Sequence, residues 1–310
     1  MKRLVFMGTP EFAVPILEAL VRSYQIVAVV TQPDQPTGRG QKIGSPPIKK
    51  LALAHGLPVL QPLSLRRPEV VAELKELMPE VIVVAAFGQI LPPEVLAIPP
   101  HGCLNVHASL LPRYRGAAPI AAAILAGEEQ TGVTLMLMDE GLDTGPILTQ
   151  AGCKIEPQDT TGSLSVKLAH LGAGLLVETL PRWLDGQLVP QPQDNSLATY
   201  CRMVTKKDGL LDWSLPATAL WLRVRAYHPW PGTYTCWQGR LLKILRARPV
   251  TLGLSNEKPG RVISLDGEVA VVTGTDALVL EEVQLAGKKA LAAQEFIRGQ
   301  RNFMGSVLGA

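Results

Sequence analysis

The hexapeptide Cys-Leu-Asn-Val-His-Ala at residues 103–108 is the part of the sequence best equipped for chemistry. Its apolar setting predicts a strand, and side chains along a strand alternate faces. Asn105 and His107 therefore share one face, with Leu104, Val106 and Ala108 on the other. Two hydrogen-bonding side chains at the end of an apolar strand need partners, since each left unpaired in the interior costs ~1–3 kcal/mol. Loop backbone would satisfy them, and so would a ligand or a catalytic carboxylate. A carboxylate is at hand in Asp139-Glu140-Gly141-Leu142-Asp143-Thr144-Gly145, which follows a strand-like run at 132–138. Gly141 and Gly145 permit tight folding there. Asp143 then either caps the turn or stands at the same sheet edge as Asn105 and His107.

Asn105, His107 and Asp143 make chemical sense as a set. A carboxylate beside an imidazole orients the ring and pairs with its charged form. A charged His and an Asn amide both donate hydrogen bonds, which suits an oxyanion growing on an attacked carbonyl. No Ser or Cys has an evident place as nucleophile, so the attacking group comes from the substrate, for instance an amine. Asp143 would take up its proton directly or through water. Other chemistries fit less well. The first strand leads into Met-Gly-Thr-Pro rather than GxGxxG, and no GxxxxGKS/T occurs, which disfavours a dinucleotide or a P-loop nucleotide. His101 and His107 lack an HExxH or Cys/His arrangement, so no metal site is expected.

The elements that must position this set alternate along the chain. Runs rich in Val, Ile and Leu at 4–7, 26–31, 81–86 and 103–108 read as strands of a buried parallel sheet. Thr9 suits a helix N-cap, with Pro10 at the first helical position and Glu11 in the first turn. Further helices are predicted over 47–55, 68–77, 118–126 and 161–184. This predicts an α/β domain with an open, doubly wound, mostly parallel, Rossmann-like sheet. Ligands of such sheets bind beyond the carboxyl ends of the strands. From 186 to 200 the chain is polar and proline-bearing, as a linker would be. A helix at 216–227 and five β-prone runs at 233–237, 241–245, 260–264, 269–273 and 278–283 predict a small OB-like β-barrel. The domains are thus placed at 1–189 and 206–310, with a linker at 190–205.

A length of 310 residues suits two domains. The four cysteines are far apart and form no CxxC, so neither a zinc site nor a disulfide framework is expected, and a reducing compartment is the natural reading. Met1-Lys2-Arg3 is followed by an apolar run too short for a signal peptide, and the apolar stretch at 117–126 falls short of a bilayer span. The expected setting is the cytoplasm, away from any membrane. The net charge of +3 divides into −2 over 1–205 and +5 over 206–310. Within the acidic part, residues 35–68 hold Arg39, Lys42, Lys49, Lys50, Arg66 and Arg67 with no Asp or Glu, which points to an anionic partner such as nucleic acid.

Six longer stretches carry a resemblance. They are Phe-Met-Gly-Thr-Pro-Glu-Phe-Ala at 6–13, Thr-Gln-Pro-Asp-Gln-Pro-Thr-Gly-Arg-Gly-Gln-Lys at 31–42, Asn-Val-His-Ala-Ser-Leu-Leu-Pro-Arg-Tyr-Arg-Gly-Ala-Ala-Pro at 105–119, Met-Asp-Glu-Gly-Leu-Asp-Thr-Gly at 138–145, Tyr-His-Pro-Trp-Pro-Gly at 227–232 and Ala-Gly-Lys-Lys-Ala at 286–290. On these the chain resembles the methionyl-tRNA formyltransferase family over essentially its whole length. The resemblance implies transfer of the formyl group of 10-formyltetrahydrofolate to the amino group of methionine on initiator tRNA, by a cytoplasmic monomer without a metal. It implies Asn105, His107 and Asp143 as the catalytic set. It also implies Ser109, Leu110, Leu111 and Pro112 as folate-binding residues, with Gln89, Ile90 and Leu91 bordering the pterin pocket. Arg39 and Lys42, on the basic insert at 31–42, suit phosphate contacts with tRNA, and the barrel would contact tRNA as well.

Related enzymes share the Asn-x-His-x-Ser-Leu-Leu-Pro element. Glycinamide ribonucleotide formyltransferases resemble the first domain alone. Aminosugar formyltransferases keep the triplet and a similar second domain but lack the insert. A non-catalytic tRNA-binding protein would not need the intact triplet. Two mild departures from the family pattern are Ala108, where relatives often have Gly, and Phe87, where they often have Tyr.

Overall fold

The computed structural model describes residues 2–37, 42–253 and 257–309. Two compact units emerge: Met1–Pro119 with Gln130–Lys154 and Ser165–Cys201, and Ile120–Glu129 with Ile155–Leu164 and Arg202–Ala310.

The first unit opens with β1 (Arg3–Gly8), a single 3-10 turn at Glu11–Ala13 and α1 (Val14–Val21). The expected Thr9 cap is not formed. Its hydroxyl instead donates to the Phe87 carbonyl at 3.0 Å and accepts from the Gln32 amide at 3.4 Å. Pro10 takes the capping position with extended backbone. A side chain already engaged by two neighbouring loops has no lone pair aimed at the helix start.

Next come β2 (Gln25–Val30), the two-stranded ladder of β3 (Gln35–Thr37) and β4 (Lys42–Gly44), α2 (Pro47–Ala54), β5 (Val59–Leu60) and α3 (Pro68–Glu76). They are followed by β6 (Val81–Ala85), α4 (Pro93–Leu96), β7 (Cys103–His107), the short β8 (Arg115–Gly116) and α5 (Pro119–Leu125), which from Ile120 on belongs to the second unit. Then β9 (Gln130–Leu137), β10 (Ile147–Lys154), α6 (Thr161–Leu184) and β11 (Tyr200–Cys201) complete the series.

Seven strands form one sheet in the order β10-β9-β7-β6-β1-β2-β5. The pairs β7–β6, β6–β1, β1–β2 and β2–β5 are parallel, while β9 and β10 add two antiparallel strands at one edge. The sheet is mostly parallel, as the sequence predicts, with one antiparallel edge. β6 is buried at every position, and its Val-Ile-Val-Val-Ala run is what a strand covered on both faces requires. Val5, Met7, Ala28, Val30, Ile82 and Val84 pack on one face with Leu65, Leu74 and Val95. Strand order reverses around β1 and β6, so the crevice beyond their carboxyl ends is the natural place for a ligand.

Gly172 of α6 comes close to the opposite side of β7. A Cβ there would lie 2.8 Å from Val106 Cγ1. The Leu104 and Val106 face is thus sealed against a helix, and the Asn105 and His107 face is left for other partners.

The second unit holds α7 (Ala217–Ala226) and an antiparallel sheet of β12 (Thr233–Trp237), β13 (Arg240–Val250), β14 (Val262–Leu265), β15 (Glu268–Val272), β16 (Ala277–Leu285) and β17 (Leu291–Ala292), with α8 (Ala293–Gly299) after it. The order is β12-β13-β16-β15-β14, with β17 on β16. Register shifts near Arg246 bend β13 and curl the sheet. Trp237, Phe296 and Phe303 meet edge to face, with ring centroids 5.0–5.8 Å apart, at the centre of this core. Among the described residues no helix is long and apolar enough to cross a membrane.

Phe303 is fully buried, so Phe303→Ala should destabilise the second unit by ~3–5 kcal/mol. Denaturant unfolding followed by tryptophan fluorescence measures this, and an unchanged midpoint would contradict the aromatic centre described here.

Candidate active site

Asn105 and His107 end β7 between β6 and β9, and both are buried, at 9% and 6% exposure. Both sets of partners that the sequence left open are present. The His107 ring meets loop backbone, with Nε2 3.0 Å from the Tyr114 carbonyl. The carboxylate is Asp143: Asn105 Nδ2 donates to its Oδ1 at 3.3 Å, and His107 Nδ1 lies 3.7 Å from its Oδ2. The Gly116 amide also donates to Oδ2, at 2.8 Å.

These contacts assign roles to the two ring nitrogens. A carbonyl can only accept, so His107 Nε2 carries a hydrogen and is committed to Tyr114. Nδ1 faces Asp143 at a separation longer than a hydrogen bond.

Asp143 does not cap its own turn. Asp139 does so, its Oδ1 accepting from the Gly141 amide at 3.0 Å and the Thr144 hydroxyl at 2.7 Å. Asp143 itself adopts φ +54°, a left-handed conformation that Asp tolerates better than most residues. The two glycines are needed for space. A Cβ on Gly145 would lie 1.9 Å from the Leu137 carbonyl oxygen, and one on Gly141 2.0 Å from the Thr144 hydroxyl.

The predicted folate residues fall in two groups, after β6 and after β7. Ser109 is fully buried and donates to the Arg113 carbonyl at 2.6 Å. Thr134 of β9 holds the backbone nearby, donating to the Ser109 carbonyl and accepting from the Leu111 amide. Gln150 Nε2 donates to the Leu111 carbonyl at 2.8 Å. Leu110 packs over Gly132, Leu111 is buried, and Pro112 accepts the Thr199 amide at its carbonyl. In the other group, the Gln89 side chain is tied to Leu65 and Pro62, Leu91 is buried in the sheet core, and Ile90 is 70% exposed. Of these three side chains, only that of Ile90 is displayed at the carboxyl end of β6. Arg39 lies outside the described residues, and Lys42 begins β4.

Sequence reasoning missed Arg115, Gly116, Thr134 and Gln193. Arg115 is 1% exposed, and its guanidinium donates to Gln193 Oε1, Asn195 Oδ1 and the Tyr200 hydroxyl. Gln193 in turn donates to the Asp143 and Gly145 carbonyls. The stretch that reads as linker by composition thus lies against the site, with β11 paired to β8 and Gln191 bridged to Ile147. No local sequence signal marks it. Among the described residues no group of three His, Cys, Asp or Glu side chains converges as metal ligands.

Similarity to known proteins extends over nearly the whole chain. Residues 1–180 match the family model described as formyl transferase, and residues 203–301 match that of the formyl transferase C-terminal domain. A protein of Citrifermentans bemidjiense named methionyl-tRNA formyltransferase is 50% identical over 310 residues, covering 99% of this chain and 96% of its own. One of the same name from Chloroflexus aggregans is 51% identical over 300 residues, covering 96% and 97%. Among solved structures, an N-formyltransferase of Helicobacter canadensis, in complex with folinic acid and dTDP-3-aminofucose, has a TM-score of 0.67 at 19% identity, covering 90% of this chain and 99% of its own. HypX of Aquifex aeolicus, in complex with tetrahydrofolic acid, has a TM-score of 0.63 at 19% identity, covering 98% of this chain and 48% of its own. These two structural likenesses concern the fold.

Two thiols flank the cluster. Cys201 Sγ lies 3.5 Å from the Tyr114 carbonyl and 3.4 Å from that of Arg115. Burial, and to a lesser degree the charge of Asp143, push its pKa up. Burial pushes Cys103 up to about 12. A thiol held protonated is a poor nucleophile, so neither competes with an incoming one. With its pKa pushed up by burial, Cys103 stays a thiol at about pH 8, and iodoacetamide should leave it unmodified in the folded chain. Unfolding in guanidinium returns it to ordinary reactivity. Peptide mapping by mass spectrometry checks this, and alkylated Cys103 in the folded protein would contradict it.

Proposed function

The chain belongs to the formyl transferase family and, within it, to the methionyl-tRNA formyltransferases, and we propose from that membership how its residues divide the work. It transfers a formyl group to the amino group of methionine carried by initiator tRNA. The observation that carries the catalytic reading is the convergence of Asn105 Nδ2, His107 Nδ1 and the Gly116 amide on one half-buried carboxylate, that of Asp143.

The formyl donor is 10-formyltetrahydrofolate, which supplies the carbonyl carbon that the amine attacks. The residues present suit it. Ile90 offers apolar surface after β6, the 109–112 backbone is pinned by Thr134 and Gln150, and the buried polar cluster ends β7 beside them. Gln89, Ile90 and Leu91 border the pterin, and Ser109, Leu110, Leu111 and Pro112 line the approach to the formyl group. The Asn105 amide and the His107 Nδ1–H hold the carbonyl oxygen as charge builds on it. Asp143 keeps the imidazole in register and takes the proton that the amine sheds. The amine attacks the formyl carbon directly, with no covalent link to the chain; the bond from that carbon to N10 then breaks, and N10 leaves as the neutral amine of tetrahydrofolate, receiving the proton that Asp143 took up.

Domain 1–189 carries this chemistry, with the first part of the 190–205 linker, through Cys201, packed against it. The rest of the linker leads to domain 206–310, which we read as an OB-like barrel that contacts tRNA along its net positive surface. Arg39 and Lys42 on the insert add phosphate contacts. The protein acts in the cytoplasm as a monomer. An aminosugar acceptor is less well supported, because the sugar enzymes match at 19% identity and the tRNA enzymes at about 50%.

With charged initiator tRNA and 10-formyltetrahydrofolate, His107→Ala and Asp143→Asn should each lower turnover by ~10²–10³. Turnover close to that of the parent in both would remove the catalytic assignment. Arg39→Ala and Lys42→Ala should weaken tRNA binding and flatten the plot of log affinity against log salt by about one counterion each. Titrations at several salt concentrations with an unchanged slope would give the insert another role.

A further inference from the structure

We propose that Gln193 is a positioning residue for formyl transfer: anchored by the buried Arg115, its amide fixes the backbone of the Asp143 loop and thereby the aim of the catalytic carboxylate. The proposal rests on the reading of Asp143 given above.

Every polar atom of the Gln193 amide is used. Its Oε1 accepts from Arg115 Nε at 3.1 Å and Nη2 at 2.8 Å. Its two Nε2 hydrogens go to the carbonyls of Asp143 at 2.9 Å and Gly145 at 2.7 Å. A planar amide held at both ends has no rotamer left to choose. Accepting from a cation also polarises the amide and strengthens the bonds it donates.

Arg115 closes the circuit from the other side. The next residue, Gly116, donates its amide to Asp143 Oδ2 at 2.8 Å. Gly116 has φ +118°, and a Cβ there would lie 2.2 Å from the Cys201 carbonyl oxygen, so the β8–β11 contact admits only glycine. Asp143 is therefore held twice, by its carbonyl through Gln193 and by its carboxylate through Gly116, with Arg115 common to both routes. The guanidinium is almost wholly buried, and its partners Gln193, Asn195 and Tyr200 are neutral. Losing Gln193 would leave a buried charge short of acceptors and two loop carbonyls short of donors. The left-handed Asp143 conformation, which few constraints favour, would relax first.

The test uses the full chain with Gln193→Glu and Gln193→Leu. In Gln193→Glu the acceptor for Arg115 survives and both donated bonds are lost, so the fold is kept while the loop is released. A displaced reacting group can cost up to about 10²-fold, and turnover is expected to fall at least about tenfold, with KM for tRNA and for the formyl donor within about twofold of the parent. Hydrogen exchange of the Gly116 amide should quicken. Combined with Asp143→Asn, either Gln193 variant should add no further loss, because both act through the same carboxylate. Parent-like turnover in Gln193→Glu, or losses that multiply in the double variants, would overturn the proposal while leaving Asp143 catalytic. Parent-like turnover in Asp143→Asn would overturn the reading of Asp143, and this proposal with it.

Discussion

Two hydrogen-bonding side chains on the buried end of β7 must be paired, and the chemistry of the first unit is organised by how this is done. Asn105 and His107 enter an interior where an orphaned polar atom costs ~1–3 kcal/mol. Satisfying both with backbone would have produced an inert strand end. The structure gives backbone to one edge of the imidazole and a carboxylate to the rest. That carboxylate must itself be desolvated, and it is reached by a backbone amide and by a side chain that still has a second hydrogen to offer. The arrangement is stable because its groups are paired, with one nitrogen of the ring standing slightly apart from the carboxylate.

Close packing lets these groups meet. α6 lies against the apolar face of β7 through Gly172, which leaves the polar face to the loops carrying Tyr114 and Asp143. Gly145 lets the loop after β9 approach the Leu137 backbone, and Gly116 lets β8 and β11 touch. In each case a side chain is absent where two backbones or a backbone and a helix must come together. The second unit is built on a different principle, an aromatic centre beneath a bent antiparallel sheet.

Much of this was legible in the amino acids. Strand alternation placed Asn105 and His107 on one face, and the glycines around Asp143 marked a tight loop at the same edge. The strands at 4–7, 81–86 and 103–108 lie within one or two residues of those observed, because runs covered on both faces leave an unmistakable apolar signature. Thr9 misled, since the signal for a cap is local and the bonds that claimed its hydroxyl come from residues far along the chain. β10 carries little apolar signal because it is an edge strand, half exposed along its length. Arg115 and Gln193 were invisible for the same reason as Thr9. A polar residue in a proline-bearing stretch looks solvated until the fold brings 193 beside 115 and 143.

The 191–201 stretch also bears on how this catalytic module can be moved. A boundary drawn where the composition turns polar would cut between the sheet and the residues that brace its aspartate. The residues that brace the aspartate reach through β11 to Cys201, the last residue of the first unit. A fusion or domain exchange that joins a new acceptor-binding module at residue 189 would keep the triplet and lose its brace, whereas a junction after Cys201 would carry both.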